Sequence, residues 1–266
     1  LHPRVRRQRQ MCIRDRSYTT KIKRPFYNQL SSNMRYMNRF TYMSGNPDLK
    51  PETIHDLTLS GSYKWLQFMI SYQREKDAIL YITEQYKKNP AITTVTHRNF
   101  NRIDNFSAFL TASPAVGSWH PQLTVGVQKQ WAKIEHNGET LQMDTPLFFC
   151  TLNNGIQLPY HWTLSTDINF QSKGDYQNIY MYQNVFMMNA TLTKSFLNEH
   201  LSIHLQGIDL THGRKDGNRI YNKHMNMDVA NVSDSRELRF TIRYKFNTAK
   251  SKYKGKGAAT EEIKRL

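Results

Sequence analysis

The chain lacks any apolar run long enough to cross a membrane as a helix. Hydrophobic side chains make up 38% of its 266 residues, and segments 147–150 and 185–188 are among the longest apolar stretches. A spanning helix needs roughly 18 such residues in a row. The shortage excludes a helical membrane protein, whereas the 15 Tyr and 13 Phe suit strands with one apolar and one polar face.

Catalytic and metal-binding patterns are equally scarce. Cysteine is limited to Cys12 and Cys150, too few for a zinc cluster, and Cys150 falls on the apolar side of its segment as a small hydrophobe. No serine, cysteine or carboxylate pattern resembles a nucleophile elbow, a protease motif or a zinc helix. We therefore expect no enzyme activity, no catalytic residue, no metal site and no cofactor.

Two weaker patterns predict ordinary loops. Segment 209–217 resembles a calcium loop only faintly, because its oxygens lack the required spacing, and it predicts a turn built on Gly213 and Gly217. Six of the ten histidines fall in or beside connections, where solvated side chains are more common than metal ligands: His97, His136, His161, His200, His212 and His224.

The formal net charge of +16 is concentrated at the two ends of the chain. Residues 1–16 hold six Arg and one Asp, and residues 248–266 hold five Lys, one Arg and two Glu. No basic helix or glycine-rich phosphate loop accompanies this charge, so we expect no nucleic-acid partner. Residues 1–16 match no strand, helix or signal pattern and look like translated sequencing adapter, a non-native segment in place of the true N-terminus. Residues 248–266 predict a disordered periplasmic tail, which leaves 17–247 for the fold.

Ten segments of 17–247 alternate between apolar and polar residues. The last one places Phe240, Ile242, Tyr244 and Phe246 on one side. The nine earlier segments begin near Ser17, Thr53, Phe68, Phe106, Leu123, Phe148, Leu164, Phe186 and Leu201. Alternation with period 2 and no helical stretch is typical of transmembrane β-barrels.

The connections between these segments are alternately short and long. Short ones lie at Trp65 and within 114–121, 160–162 and 198–200, and long ones at 26–52, 81–98, 136–144, 174–183 and 212–233. Outer-membrane barrels have short periplasmic turns and long extracellular loops, whereas a soluble sandwich has no reason to keep that asymmetry. The sequence therefore predicts an all-β, antiparallel transmembrane β-barrel in the bacterial outer membrane, with lipid as a partner.

Aromatic residues gather where the segments meet the short turns. An aromatic ring with a polar tip is stable at a membrane interface, with its body in lipid and its tip in water. The residues of this predicted belt are Trp65, Trp119, Tyr160, Trp162, Phe196, Tyr244 and Phe246.

Three segments carry a resemblance to a known family. Gly45-Asn46-Pro47-Asp48-Leu49-Lys50-Pro51-Glu52 resembles a loop motif that precedes a descending strand in TonB-dependent outer-membrane receptors. Segment 17–25 looks like the preceding strand, and segment 238–246 is similar to the aromatic-terminated last strand read by the barrel-assembly machinery. In detail, 17–247 most resembles the Bacteroidetes-type outer-membrane β-barrel proteins related to TonB-dependent transporters.

The resemblance implies a barrel of about 22 strands, of which this chain would supply about ten from the C-terminal part. It also implies an upstream plug domain, through which alone TonB would be contacted, and a role in the wall and extracellular loops of a receptor for an unknown nutrient. Phe240, Ile242, Tyr244 and Phe246 would form the assembly signal. Within the loop motif, Pro47 and Pro51 keep the chain extended and Gly45 permits a tight bend, which favours a rigid loop over direct ligand contact.

The first long loop supplies the candidate ligand contacts. Tyr27, Tyr36, Arg39 and Tyr42 are groups that stack on sugars and hydrogen-bond to polar ligands. Two alternatives to a transporter stay open: a plugless porin or structural outer-membrane barrel, and a soluble all-β ligand-binding protein. The soluble alternative requires one particular set of side chains to pack in a dry core: Leu57, Phe106, Leu123, Phe186 and Phe240.

Overall fold

The computed structural model describes residues 13–86, 89–136, 138–197, 199–221, 226–232 and 234–246. The predicted tail 248–266 and most of the predicted non-native segment lie outside them. The described residues form seventeen strands and one short helix: β1 (Ile13–Lys23), α1 (Tyr27–Leu30), β2 (Arg35–Asn38), β3 (Thr41–Met43), β4 (Glu52–Tyr63), β5 (Leu66–Gln85), β6 (Thr93–Ala112), β7 (Trp119–His136), β8 (Glu139–Met143), β9 (Leu147–Leu158), β10 (Trp162–Gln171), β11 (Gly174–Tyr176), β12 (Ile179–Met181), β13 (Val185–Phe196), β14 (Leu201–Ile208), β15 (Lys215–Tyr221), β16 (Asn226–Val232) and β17 (Glu237–Tyr244).

Ten strands form one antiparallel meander in the order β1-β4-β5-β6-β7-β9-β10-β13-β14-β17. These strands are the ten alternating segments of the sequence, and the short connections between them lie at one end of the sheet. The predicted all-β antiparallel fold is therefore confirmed. Two details differ: β1 begins at Ile13 and pairs with β4 from Ser62 onwards, and the first long loop contains the helix α1. No helix in the described part of the chain is long and apolar enough to span a membrane.

The apolar side chains form continuous rows on one face of the meander. Phe68, Leu110, Val125, Cys150, Phe170 and Phe186 lie directly opposite one another on six successive strands. This apolar face is exposed: Leu57 is 55% accessible, Leu123 38%, Phe186 45% and Phe240 62%, and Phe106 is half-buried. The soluble alternative, which needs these residues in a dry core, is therefore wrong.

The opposite face of the meander is polar. Thr111 and Thr124 share a hydrogen bond of 2.9 Å between their hydroxyl oxygens, and the Thr151 hydroxyl donates to Asn169 Oδ1 at 3.1 Å. Because side chains alternate strictly along each strand, the same strands present lipid-compatible rows on one face and hydrogen-bonded rows on the other. This division is the arrangement of a transmembrane barrel wall.

The long connections are folded, and the sheet continues into them. The prediction of a loop at 81–98 is wrong for most of that range. β5 and β6 each run for 20 residues and leave only 86–92 as a connection. Four strands from two later loops form a second sheet in the order β11-β12-β15-β16. A buried apolar cluster of Ala78, Leu80, Ile103, Ala132, Ile134 and Met143 packs at this long-loop end, with Tyr180 and Tyr221 of the second sheet against it.

The turn predicted in segment 209–217 is half correct. Asp209 accepts hydrogen bonds from the backbone N–H groups of Gly213, at 2.8 Å, and Arg214, at 3.2 Å. A Cβ at Gly213 would collide with the carbonyl oxygen of Phe186, so only glycine fits there. Gly217, in contrast, lies inside β15 and not in a turn.

Candidate functional site

Two of the predicted ligand contacts come together at the long-loop end. Tyr36 and Tyr42 face each other across the β2–β3 hairpin, with ring centroids 6.1 Å apart, and Tyr86 meets Tyr42 edge-on at 5.4 Å. We call Tyr36, Tyr42 and Tyr86 the tyrosine cluster. Tyr36 is 70% exposed, so the cluster presents a ring to solvent. Tyr86 was missed because it follows the end of β5 and reaches the hairpin only through the parallel pairing of β3 with β6.

The other two candidates lie elsewhere in the same loop. Tyr27 belongs to α1 and is 86% exposed. The guanidinium of Arg39 lies 5.6 Å from the centre of the Phe40 ring. Among the described residues, neither side chain forms a ring contact or a hydrogen bond with the tyrosine cluster.

The loop motif 45–52 is held by the chain itself. The side-chain amide of Asn46 donates to the carbonyl oxygen of His97 at 3.0 Å, and its Oδ1 accepts from the backbone of Asp48 at 3.0 Å. Gly45 passes so close to the loop's start that a Cβ would lie 2.5 Å from the carbonyl oxygen of Gln29. Leu49 and Glu52 are buried. Pro47 lies in the turn at 47–48, and Pro51 directly precedes β4. The motif thus fixes the position from which β4 begins.

A polar chamber of about 170 Å³ lies on the polar face beneath the β11–β12 turn. Its walls combine hydroxyl, amide and carboxyl groups with two aromatic rings. The lining residues are Ser71, Gln73, Glu75, Asn105, Ser107, Phe109, Gln128, Tyr176 and Gln177. No sequence pattern predicted this chamber, since its walls come from three strands and a distant turn.

A buried glutamine holds the turn that covers this chamber. Gln130 is 1% exposed; its side-chain amide donates to the carbonyl oxygen of Gln177 at 2.7 Å, and the Gln177 backbone N–H donates back at 2.5 Å. Gln177 has φ of +57°, a left-handed conformation that costs free energy in a residue with a side chain. Next to it, the Asn178 side chain donates to the carbonyl oxygen of Tyr81 at 2.6 Å.

One carboxyl group in the chamber is easily protonated. Burial raises the pKa of Glu75 to about 7, and the neighbouring Glu52 carboxylate adds to this effect. Lys23 lies 3.3 Å from Glu52, and Asn105 donates to Glu75 at 3.0 Å. On β5 the apolar face ends at Tyr72, so Glu75 lies beyond the lipid-facing rows at the long-loop end.

His97 departs from its predicted solvated environment. It is 6% exposed, its ring centroid lies 4.3 Å from that of Tyr81, and neither ring nitrogen has a hydrogen-bond partner among the described residues. Burial lowers its pKa. Within the same residues, no group of three or more His, Cys, Asp or Glu side chains is placed to hold a metal ion.

The aromatic belt lies at the short-turn end as predicted. All seven of its residues are exposed, from Trp162 at 36% to Tyr160 at 83%. Lys194 places its amine 4.9 Å from the centre of the Trp162 ring, a cation–π contact suited to an interface. On β7, Trp119 and Trp131 are about 40 Å apart along the strand, or about 28 Å in depth for a strand tilted by about 45°. That depth matches the apolar thickness of a membrane.

Three of the predicted assembly residues lie on the edge strand β17, and the fourth, Phe246, follows its end. Phe240, Ile242, Tyr244 and Phe246 are 62%, 60%, 48% and 82% exposed. Within the described residues, β17 pairs only with β14. The Tyr244 and Phe246 rings meet edge-on at 4.6 Å.

Comparison with known proteins gives a family match and distant structural likenesses. Residues 13–244 match the model of the outer membrane protein beta-barrel family. Among solved structures, the chain is similar to the outer membrane transporter YddB from Escherichia coli, with 10% sequence identity and a TM-score of 0.41 over 76% of this chain and 33% of that one. The chain thus spans about a third of the length of that structure. No curated protein matches it.

Proposed function

Since the chain belongs to the outer membrane protein beta-barrel family, we propose that it forms part of the wall and extracellular loops of a TonB-dependent receptor for nutrient uptake. The barrel and its place in the bacterial outer membrane follow from the family and the fold. Import, dependence on TonB and a Bacteroidetes-type relationship are the proposal. An upstream plug domain would gate the lumen and contact TonB.

The observation that carries this proposal is the folded extracellular end. The β11–β12 turn is fastened over the polar face by Gln130, and a second sheet packs on a buried apolar cluster there. A general diffusion pore needs a clear path along its polar wall, whereas a receptor needs ordered loops that can hold a ligand. The tyrosine cluster and the polar chamber are two such places.

The proposal is tested by nutrient depletion. Wild-type cells, a strain without this gene and a strain without TonB are grown in the same defined mixture, and the compounds left in the medium are measured by mass spectrometry. We expect the same compounds to remain in both deletion strains. Uptake that depends on this gene but not on TonB would contradict the proposal.

Ligand contact by the tyrosine cluster is tested in the full-length protein. Complementation with Tyr36→Ala/Tyr42→Ala should restore less uptake than the wild type at limiting ligand, because ring stacking is lost. Tyr160→Ala, at the opposite end of the barrel, is the matched control and should restore uptake fully. Equal uptake by both variants would remove the tyrosine cluster from the proposal.

A plugless porin remains the second candidate, favoured by the hydroxyl and amide rows of the polar face. Conductance of the purified full-length protein in planar bilayers separates the two. A porin gives a steady open conductance, and a plugged receptor stays closed.

A further inference from the structure

A cluster of basic side chains lies on the outer surface of the barrel, directly above its apolar rows. Three strands bring it together in successive rows: Phe106 opposite Lys129, Asp104 opposite both Arg74 and Trp131, and Arg102 opposite Lys76. Lys133 continues β7 on the same side, since its neighbours Ala132 and Ile134 are buried on the other. We call Arg74, Lys76, Arg102, Lys129, Trp131 and Lys133 the outer basic face.

Positive charge on this face exceeds what the described residues neutralise. Asp104 is shared by two guanidinium groups, with Arg74 at 2.8 Å and Arg102 in direct contact. Although burial alone would raise the pKa of Asp104, the hydrogen bonds from Arg102, Arg74 and Tyr72 hold it below its usual range. On this side β7 carries one carboxylate, Glu135. Among the described residues, no carboxylate forms an ion pair with Lys76, Lys129 or Lys133.

The register also places like charges together. Lys76 and Arg102 are direct cross-strand partners, and like charges directly opposite each other destabilise a sheet. The Asp104 carboxylate contacts Arg102 and Arg74 but forms no ion pair with Lys76. Lys76 and Arg102 are both exposed. The sheet therefore offers a position for an external negative group that two strands approach from either side.

The position of the face selects the kind of anion. The apolar rows end just below it at Tyr72 and Val127, and the face lies at the long-loop end, which is extracellular. Trp131 is 40% exposed, and Lys129 holds its amine 5.4 Å from the ring centre. Aromatic and long cationic side chains at this depth contact lipid headgroups, with their stems in the apolar layer and their charges in the headgroup layer.

From this geometry we propose that the outer basic face binds the phosphate groups of lipid headgroups in the outer leaflet. The lipid chains would lie on the apolar rows while the phosphates meet Lys76, Arg102 and Lys133. A lipid is favoured over a soluble anion because the face continues the lipid-facing surface without a break. A fixed headgroup there would also hold the barrel at one depth in the membrane.

The test uses the purified full-length protein in detergent micelles with diphosphoryl lipid A, and native mass spectrometry counts the bound lipid. An added lysine near an anionic surface strengthens binding about fivefold, so Lys76→Gln/Lys133→Gln should weaken binding by about 10- to 30-fold. Lys64→Gln/Lys194→Gln removes the same charge at the short-turn end and should change binding less than about twofold. The charge-retaining Lys76→Arg/Lys133→Arg should bind as the wild type does.

Each other result would overturn the proposal. Equal binding of the same lipid without its phosphates would show that only the acyl chains matter. Equal losses of lipid binding in Lys76→Gln/Lys133→Gln and in Lys64→Gln/Lys194→Gln would show that this face has no special role. Weaker binding by Lys76→Arg/Lys133→Arg would show that charge is not the cause. Displacement of the lipid by millimolar inorganic phosphate would identify a site for a soluble anion instead.

Discussion

Trp119 donates its indole N–H to Asn154 Oδ1 across the β7–β9 strand pair, at 3.2 Å. The amide of Asn154 donates in turn to the hydroxyl of Thr166 on β10, at 3.0 Å. All three side chains are on the apolar face, where Asn154 interrupts an otherwise apolar set. The chain of two hydrogen bonds explains how this amide is tolerated next to lipid, since its polar groups are satisfied by neighbouring strands.

This relationship predicts a measurable coupling. Asn154→Ala should lower the free energy of unfolding by about 1–2 kcal/mol, because the indole and the hydroxyl each lose a partner. Trp119→Phe should cost about 1 kcal/mol, and the double variant should cost less than the sum of the two. Chemical unfolding of the full-length protein in lipid vesicles measures all three, and strict additivity would show that the bond contributes nothing.

The two faces of β7 predict opposite responses to charge. Val125 lies in the middle of an apolar row and is 40% exposed, so Val125→Arg should destabilise the barrel by about 2–4 kcal/mol. Its neighbour Thr124 points to the polar face, and Thr124→Arg is the matched control with an expected cost below about 1 kcal/mol. Folding yield into vesicles and denaturant midpoints would detect the difference. A larger cost at Thr124 would reverse the assignment of the faces.

Removal of the Gln130 side chain should release the β11–β12 turn. Gln130→Ala leaves both backbone groups of Gln177 without this partner, which should cost about 1–3 kcal/mol. It should also speed amide hydrogen exchange in the turn at 174–181. Gln128→Ala, on the same face of β7 and lining the same chamber, should leave exchange in that turn unchanged. If exchange rises equally in both variants, the turn is held by other contacts.

Protonation of Glu75 predicts a stability that depends on pH. The folded protein raises the pKa of Glu75 from 4.5 to about 7, so it holds a proton that the unfolded chain releases. Stability should therefore fall as the pH rises from about 4.5 to about 7 and stay lower above that range. Glu75→Gln should raise the melting temperature by about 3 °C for each kcal/mol regained at pH 8, with no change at pH 4. Glu199→Gln, an exposed control, should behave as the wild type at both pH values.

More of the short-turn end of the barrel than of its long-loop end could be predicted from the sequence. Alternation predicted ten strands, their order along the chain and the exposure of Leu57, Leu123, Phe186 and Phe240. The positions of the aromatic residues placed the belt, from Trp65 to Phe246, at the short turns. These features are local, because the identity of a residue and the period of two determine which face it joins. The partners of Asn154, in contrast, lie on the two neighbouring strands and could not be predicted from the alternation.

The extracellular end was decided by tertiary contacts. The pairing of β12 with β15 and the fastening of Gln177 by Gln130 join residues about 40 positions apart in sequence. The outer basic face likewise depends on the register that sets Lys76 opposite Arg102. By itself, the sequence determined the fold class, the strands and the lipid-facing rows, since these follow from a local period. Only the tertiary structure decided the chamber and the basic face, because each needs side chains from separate strands or turns in one register.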